Sequence, residues 1–158
     1  MMNAATLTED VSVYSASEET AEYVTMRVGH QMFGISVLTV QDVLRNQKIA
    51  HVPLAPKEIA GSMNLRGRIV TAIDIRHRLG IPMEEEATAK KMSVVVEYKG
   101  ELFSLIVDTV GEVLSLPLAK FETSPANLSP RWREVAEGIY QLKNELLVIL
   151  DVKHLLHF

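Results

Sequence analysis

Residues 64–80 read NLRGRIVTAIDIRHRLG, and this segment carries the clearest fold signal of the sequence. The odd positions from Ile69 to Ile75 are mostly apolar, while the even positions from Val70 to Arg76 turn polar towards their end. This alternation predicts a β-strand that is buried for most of its length. Gly67 lies where a two-residue turn needs a positive φ angle, so we expect a β-hairpin that presents Arg66 at a stiff tip.

The same pattern returns near the C-terminus. The segment 141–156 reads QLKNELLVILDVKHLL and matches the first stretch at a constant offset without a gap. Gly67 falls on Asn144, which also tolerates a left-handed backbone, and Asp74 falls on Asp151. The repeat indicates an internal duplication.

A second repeat has a shorter offset. The segment 23–38 predicts a β-hairpin, and a similar hairpin returns over 94–107. Val40 then falls on Val110, and Asp42 falls on Glu112. Each half of the chain is therefore predicted to contain the same two hairpins.

These repeats predict an all-β fold of about ten short strands, in two halves that share an interface. We expect a disordered acidic tail over residues 1–22, a first β-subdomain over 23–82, a linker over 83–91 and a second β-subdomain over 92–158.

Local signals complete this outline. The segment after the first hairpin, Val40 to Leu44, fits either a short helical turn or a bulged strand. Pro53 and Pro56 predict an irregular connection, and Ser129-Pro130 predicts a capped helical turn that carries Trp132.

The composition excludes several classes of protein. The 158 residues carry a net charge of −4 with an isoelectric point near 5.7, which argues against a general nucleic-acid binder. Cysteine is absent, so neither disulfides nor thiolate chemistry is expected. No apolar run reaches the roughly 20 residues that cross a bilayer, and no signal peptide is visible, so we expect a cytoplasmic protein.

Motifs of catalysis are missing from the sequence, which contains no GxxxxGK, GxGxxG, GxSxG or HExxH pattern. The five histidines are scattered, although His154 and His157 have the spacing of a weak metal site. Asp74 and Asp151 resemble a carboxylate pair, but each ends an equivalent strand, which favours a duplicated structural role. We therefore predict no catalytic residue, no metal and no cofactor.

Arginines concentrate in the segment 66–78. A solvated face is the prediction for Arg68, Arg76 and Arg78. Arg66 differs because a hairpin tip supports it, and a guanidinium suits bidentate recognition of a partner carboxylate.

The paired segments around Val40 and Val110 predict one further feature. Their valines fit a buried core, but at a seam between two halves they would also line an apolar groove that takes a partner helix. The sequence leaves both interpretations open.

These motifs together resemble the CheW family, which couples chemoreceptors to the histidine kinase CheA. The similarity rests on NLRGRIVTAIDIRHRLG, FGISVLTVQDVLR, FSLIVDTVGEVLSLP and ELLVILDVKHLL, and it covers residues 23–156. Thr71 departs from the family pattern, where proline is common.

The resemblance implies a helix-free core of two pseudo-symmetric five-stranded β-barrels and no catalysis. It implies receptor-binding residues, which are Val40, Arg66, Val110 and Val113. It also implies kinase-binding residues, which are Asp42, Gly61 and Gly67. The implied partners are the cytoplasmic hairpin tip of a chemoreceptor and the regulatory domain of a CheA-type kinase, with the protein held at membrane-bound receptor arrays.

Two alternatives stay open at this point. A similar adaptor serves chemotaxis-like pathways that control pili or second messengers. A small hydrolytic or metal-dependent enzyme would instead use Asp74, Asp151 and the histidines.

Overall fold

The computed structural model describes residues 19–45, 48–82, 90–123 and 128–157. Within these ranges the chain forms ten β-strands and three short α-helices, so the all-β class is confirmed. The strands are β1 (Thr20–Val28), β2 (Gln31–Ser36), β3 (Val40–Arg45), β4 (Ile59–Leu65), β5 (Arg68–Asp74), β6 (Met92–Tyr98), β7 (Glu101–Val107), β8 (Thr109–Pro117), β9 (Ala136–Gln141) and β10 (Leu146–Leu150). The helices are α1 (Ile75–Leu79), α2 (Pro130–Val135) and α3 (Val152–Leu155).

The strands form two five-stranded sheets. Sheet I has the order β9-β10-β2-β1-β8, and sheet II has the order β4-β5-β7-β6-β3. Each sheet therefore combines the first hairpin of one half of the chain with the last three strands of the other half. The predicted subdomain boundaries, 23–82 and 92–158, do not coincide with the sheets, because the two halves exchange strands.

Strand register supports the duplication. In sheet II, Thr71 lies opposite Phe103 on a parallel neighbour, and in sheet I, Val148 lies opposite Phe33. The two offsets of the sequence repeats convert one pair into the other. Both repeats found in the sequence thus occupy equivalent places in the fold.

Neither sheet is a closed barrel. The chain after β3 meets β4 through one bridge between Ala50 and Ser62, and the chain after β8 meets β9 through one bridge between Glu122 and Ile139. Pro53 and Pro56 follow the first bridge, and proline cannot donate to a ladder. Within the described ranges, the predicted barrels are thus two curled sheets whose edges meet at an isolated bridge instead of a closing ladder.

Both sheets pack on one hydrophobic cluster, which includes Phe33 from sheet I and Leu105 from sheet II. The helices contribute to it as well, so the expected helix-free core is wrong. Their contribution consists of buried side chains, which are Ile75, Leu79, Val135, Val152 and Leu155. These side chains therefore lie in the same cluster as the core residues of both sheets.

The structure also decides several local predictions. The segment 40–45 forms a strand with a register shift next to Val40, which fits the bulged-strand alternative. The hydroxyl of Ser129 accepts from the Trp132 amide, as expected for a capped turn. Strand β1 begins at Thr20, so the predicted tail, 1–22, extends too far towards the C-terminus. Residues 1–18, and residues 83–89 of the predicted linker, lie outside the described ranges. In the described chain no helix is long and apolar enough to cross a membrane.

Candidate partner-binding surface

The β4–β5 hairpin presents Arg66 at its tip, as the sequence predicts. Arg66 and Gly67 have φ angles of 51° and 85°, so both turn residues are left-handed. The Asn64 side chain accepts a hydrogen bond of 3.0 Å from the Gly67 amide, which stiffens the turn. The Arg66 side chain is 75% exposed. The hairpin thus holds a guanidinium out towards solvent.

Arg66 forms an ion pair with Asp42 of β3. A guanidinium nitrogen lies 2.7 Å from the Asp42 carboxylate, whose other oxygen accepts from the Val43 amide at 2.9 Å. The Arg66 hydrogen bond, helped by the Val43 amide, lowers the pKa of Asp42 below its usual range. Strands β3 and β4 are the two edges of sheet II, so this ion pair links the edges of the curled sheet. It also joins two residues that the resemblance assigned to different partners.

Val40 and Val110 lie in different sheets, as predicted for a seam between halves. Both side chains are half-buried and pack against the hydrophobic cluster, so each serves partly as core. The Val110 amide lies 3.3 Å from the Met92 sulfur of sheet II. Val113 is the accessible member of the predicted set, with 52% of its surface exposed.

Two apolar residues near the tip lie outside the predicted site set, although the sequence already placed Val43 in the paired segment that begins at Val40. Val43 is 39% exposed, and Ile69 is 74% exposed although the alternation predicts a buried side chain. Strand β5 pairs with β7 only from Thr71 onwards, so Ile69 extends beyond the packed part of the sheet. Val43 was detectable, because the offset that carries Val40 to Val110 also carries it to Val113. The residues that we call the tip surface are Asp42, Val43, Arg66, Gly67 and Ile69.

Gly61 has a structural role that the sequence did not reveal. Its φ angle is 152°, and an added Cβ atom would clash with the Ala50 carbonyl oxygen. At its equivalent in sheet I, Gly138, an added Cβ atom would clash with the Glu122 carbonyl oxygen. Both glycines therefore leave space for the backbone of the neighbouring segment at the isolated bridge of each sheet. Gly67, by contrast, has open space around it.

The hairpin tips of the two sheets are fixed by different ion pairs. In sheet I, Glu145 in the β9–β10 turn accepts two hydrogen bonds of 3.0 and 2.7 Å from Arg27 of β1. Hydrogen bonding to Arg27 lowers the pKa of Glu145. The arginine that joins the sheet I tip lies on a strand, whereas the arginine of the sheet II tip lies in the turn itself. The sheet II turn thus differs from its repeat by an exposed arginine of its own.

Asp74 and Asp151 have the duplicated structural role that the repeat predicts. Asp74 accepts from the amides of Arg76 and His77 at the start of α1, and Asp151 accepts from the Lys153 amide at the start of α3. The carboxylates thus cap two equivalent helices. Among the described residues no three histidine or acidic side chains are grouped to hold a metal ion.

Arg76 and Arg78 are buried, so the predicted solvated face is wrong for both. Arg76 pairs with Asp108 at 2.8 Å and donates to the Pro82 carbonyl. Arg78 donates to the carbonyls of Leu155 and His154 at the end of α3, at 2.8 and 3.0 Å. Apart from the Pro82 carbonyl, these acceptors lie at least 32 positions away in the sequence, which is why a run of arginines looked solvated.

Known proteins share both the sequence pattern and this architecture. A family model described as a CheW-like domain matches residues 22–158. The chain is 29% identical to the chemotaxis protein CheW of Bacillus subtilis over 133 residues, which is 84% of this chain and 85% of the relative. It is 24% identical to a probable chemotaxis protein CheW of Rhizobium etli over 144 residues, which is 91% of this chain and 92% of the relative.

A solved structure agrees with these matches. The crystal structure of the scaffolding protein TtCheW from Thermoanaerobacter tengcongensis superposes with a TM-score of 0.79 at 25% identity, covering 89% of this chain and 94% of that chain. The enzyme alternative is thereby rejected, because CheW proteins are non-catalytic scaffolds. The chain belongs to the CheW-like domain family of chemotaxis scaffold proteins.

Proposed function

We propose that this protein is an adaptor that couples the cytoplasmic hairpin tip of a chemoreceptor to the regulatory domain of a CheA-type histidine kinase. The observation that carries the proposal is the ion pair of 2.7 Å between Arg66 and Asp42. The family resemblance assigns these residues to the receptor and to the kinase respectively. Because the two residues are in contact, the two proposed sites adjoin, so both partners would be held close together on one adaptor.

The receptor site would combine Arg66 with the valines Val40, Val110 and Val113. An exposed guanidinium recognises a carboxylate, and branched apolar side chains pack against the apolar face of a helix. A helical receptor tip with an acidic residue beside an apolar face fits both features. Val113 is the most exposed of the three valines, with 52% of its surface exposed.

The kinase site would lie on the other side of the Asp42–Arg66 pair. Asp42 is partly exposed there, and Gly67 is exposed and leaves open space in which a partner backbone can approach. Gly61 contributes indirectly, because it allows the Ala50 segment to lie close to β4. We expect kinase contacts on this supported edge of sheet II.

Substitutions of two valines test the proposal. Val113→Asp places a charge on an exposed position, so it should abolish binding of a receptor hairpin fragment while the kinase regulatory domain still binds. Val110→Asp places the same charge against the core, so it should also lower the unfolding midpoint. Calorimetric titration with each partner, run beside circular dichroism, separates the two effects.

The matched control is Val52→Asp, because Val52 is a valine with the same 39% exposure as Val43 but lies outside the tip surface and the proposed receptor set. It should leave the fold intact and retain receptor binding. A Val113→Asp variant that folds and binds the receptor fragment with unchanged affinity would remove the support for this site.

A further inference from the structure

The turn between β4 and β5 has a backbone conformation that needs support. The two strands pair as far as Leu65 and Arg68, so two residues alone form the turn. Both have positive φ angles, 51° for Arg66 and 85° for Gly67. Glycine adopts this left-handed conformation freely, whereas the Cβ atom of an arginine crowds its own backbone there. The conformation of Arg66 therefore costs free energy that a neighbouring contact has to offset.

Asn64 makes a contact that meets this need. Its side-chain oxygen accepts a hydrogen bond of 3.0 Å from the Gly67 amide, three residues further along the chain. Asparagine stabilises turns in this way because its short side chain reaches nearby backbone amides. Asn64 is itself exposed, so packing contributes little to its role. Its side chain therefore acts on the turn through this hydrogen bond.

The tip of sheet I is built differently. The repeat places Gln141 at the position of Asn64. Lys143 and Asn144 fall on the two turn residues, and in the described part of the chain neither of them has a positive φ angle. The arginine of that tip, Arg27, lies on strand β1, where an extended backbone carries no such cost. The left-handed turn and the asparagine thus occur at the tip whose turn itself contains an arginine.

We propose that Asn64 is a positioning residue, which fixes the direction in which Arg66 presents its guanidinium group to a carboxylate of the receptor. The φ angle of a residue sets the direction of its Cα–Cβ bond, so relaxation of the turn would move the guanidinium. In the observed turn the Arg66 side chain is 75% exposed and lies 2.7 Å from Asp42. A group that is held in place loses less conformational entropy on binding, which strengthens the contact. This inference rests on the proposed function, because it takes the receptor as the partner of Arg66.

The first test uses the free protein. Asn64→Ala should let the turn relax, so the ion pair between Arg66 and Asp42 should form for less of the time. The hydrogen bond from Arg66 is the main reason why the pKa of Asp42 is lowered. The Asp42 pKa, measured by carboxyl-carbon NMR, should therefore rise towards its ordinary value in Asn64→Ala. Gln141→Ala, the matched control in sheet I, should leave it unchanged. An Asp42 pKa that Asn64→Ala does not alter would overturn the proposal.

The second test is a double-mutant cycle with a receptor hairpin fragment, followed by calorimetric titration. Asn64→Ala should weaken binding about three- to tenfold, the range expected when one hydrogen bond is lost. In the Arg66→Ala background the same substitution should have no effect, because a positioning residue acts through the residue that it positions. An unchanged affinity in Asn64→Ala, or an equal loss in both backgrounds, would contradict the positioning role.

The two tests separate this inference from the proposed function. If the unaltered protein does not bind the receptor fragment, the proposed function is wrong, and the inference about the receptor is wrong with it. If the unaltered protein binds but Asn64→Ala changes neither the Asp42 pKa nor the affinity, the positioning role is wrong and the proposed function stands.

Discussion

Arg66 is highly exposed and forms an ion pair with Asp42. Its contribution to stability and its contribution to receptor binding can therefore be measured separately. Arg66→Ala should lower the free energy of unfolding by less than about 1 kcal/mol, because exposed ion pairs contribute little. Affinity for a receptor hairpin fragment should fall by roughly 1.5 to 3 kcal/mol, since a charge-assisted contact is lost. Calorimetric titration and urea unfolding measure the two quantities.

Arg68→Ala is the matched control, because Arg68 is exposed at the first position of β5 on the same hairpin. It should keep both the stability and the affinity. An Arg66→Ala protein that unfolds at a lower urea concentration but binds the receptor fragment normally would overturn the assignment of Arg66 to the receptor site.

Substitution of Gly61 should lower stability, whereas substitution of Arg66 should lower receptor affinity. Gly61→Ala forces a Cβ atom towards the Ala50 carbonyl oxygen at a φ angle of 152°, so unfolding should become easier by roughly 1 to 3 kcal/mol. Gly67→Ala keeps a left-handed turn residue in open space and should cost about 1 kcal/mol. Urea denaturation of both variants checks this order, and equal losses would contradict it.

At the scale of elements, the start of α1 depends on its cap. Asp74 accepts hydrogen bonds of 3.0 and 3.4 Å from the amides of Arg76 and His77. Asp74→Ala should therefore cost about 1 kcal/mol, whereas Asp74→Asn keeps a capping oxygen and should cost less. Thermal unfolding followed by circular dichroism measures both. Equal destabilisation by Asn and Ala would show that the capping hydrogen bonds are not the reason why Asp74 stabilises the protein.

Asp108 connects several elements and makes stability depend on pH. It accepts from Arg76 of α1, from Lys91 at 2.6 Å and from the Gly29 amide at 2.8 Å. Burial acts to raise the pKa of Asp108, but the hydrogen bonds and the charges of Lys91 and Arg76 outweigh it, so the pKa is lowered.

The sign of the pH effect follows from that direction. A lowered pKa stabilises the folded protein above the unfolded value of about 3.9, and this contribution is lost as pH falls through the folded value. Asp108→Asn should therefore unfold roughly 1.5 to 3 kcal/mol more easily at pH 7. The difference in unfolding free energy between Asp108→Asn and the unaltered protein should become smaller below about pH 4. Urea unfolding across pH measures this difference, and a constant difference would contradict the linkage.

At the scale of the whole molecule, the sequence predicts the parts better than their arrangement. The alternation over 69–75 and its repeat indicate the strands and their hairpins, but they do not fix which side chains face the core, because Val70 and Ala72 are buried while Ile69 is exposed. The exchange of strands between halves was not predictable, since a repeat does not say which hairpin pairs with which.

The candidate site shows the same limit. Arg66 was recognisable because its turn chemistry is local. The ion pair with Asp42 joins residues that are 24 positions apart, and the burial of Arg78 depends on carbonyls 76 and 77 positions away. Such long-range partners are supplied by the tertiary fold.

The proposed coupling of a receptor to a kinase can be tested on the assembled complex. The most direct test is co-sedimentation of a purified CheA-type kinase with receptor-bearing membranes, with and without this protein. We expect the kinase in the pellet only when the protein is present, and expect Arg66→Ala to reduce that fraction while Arg68→Ala does not. A kinase that sediments equally well without the protein would contradict the account.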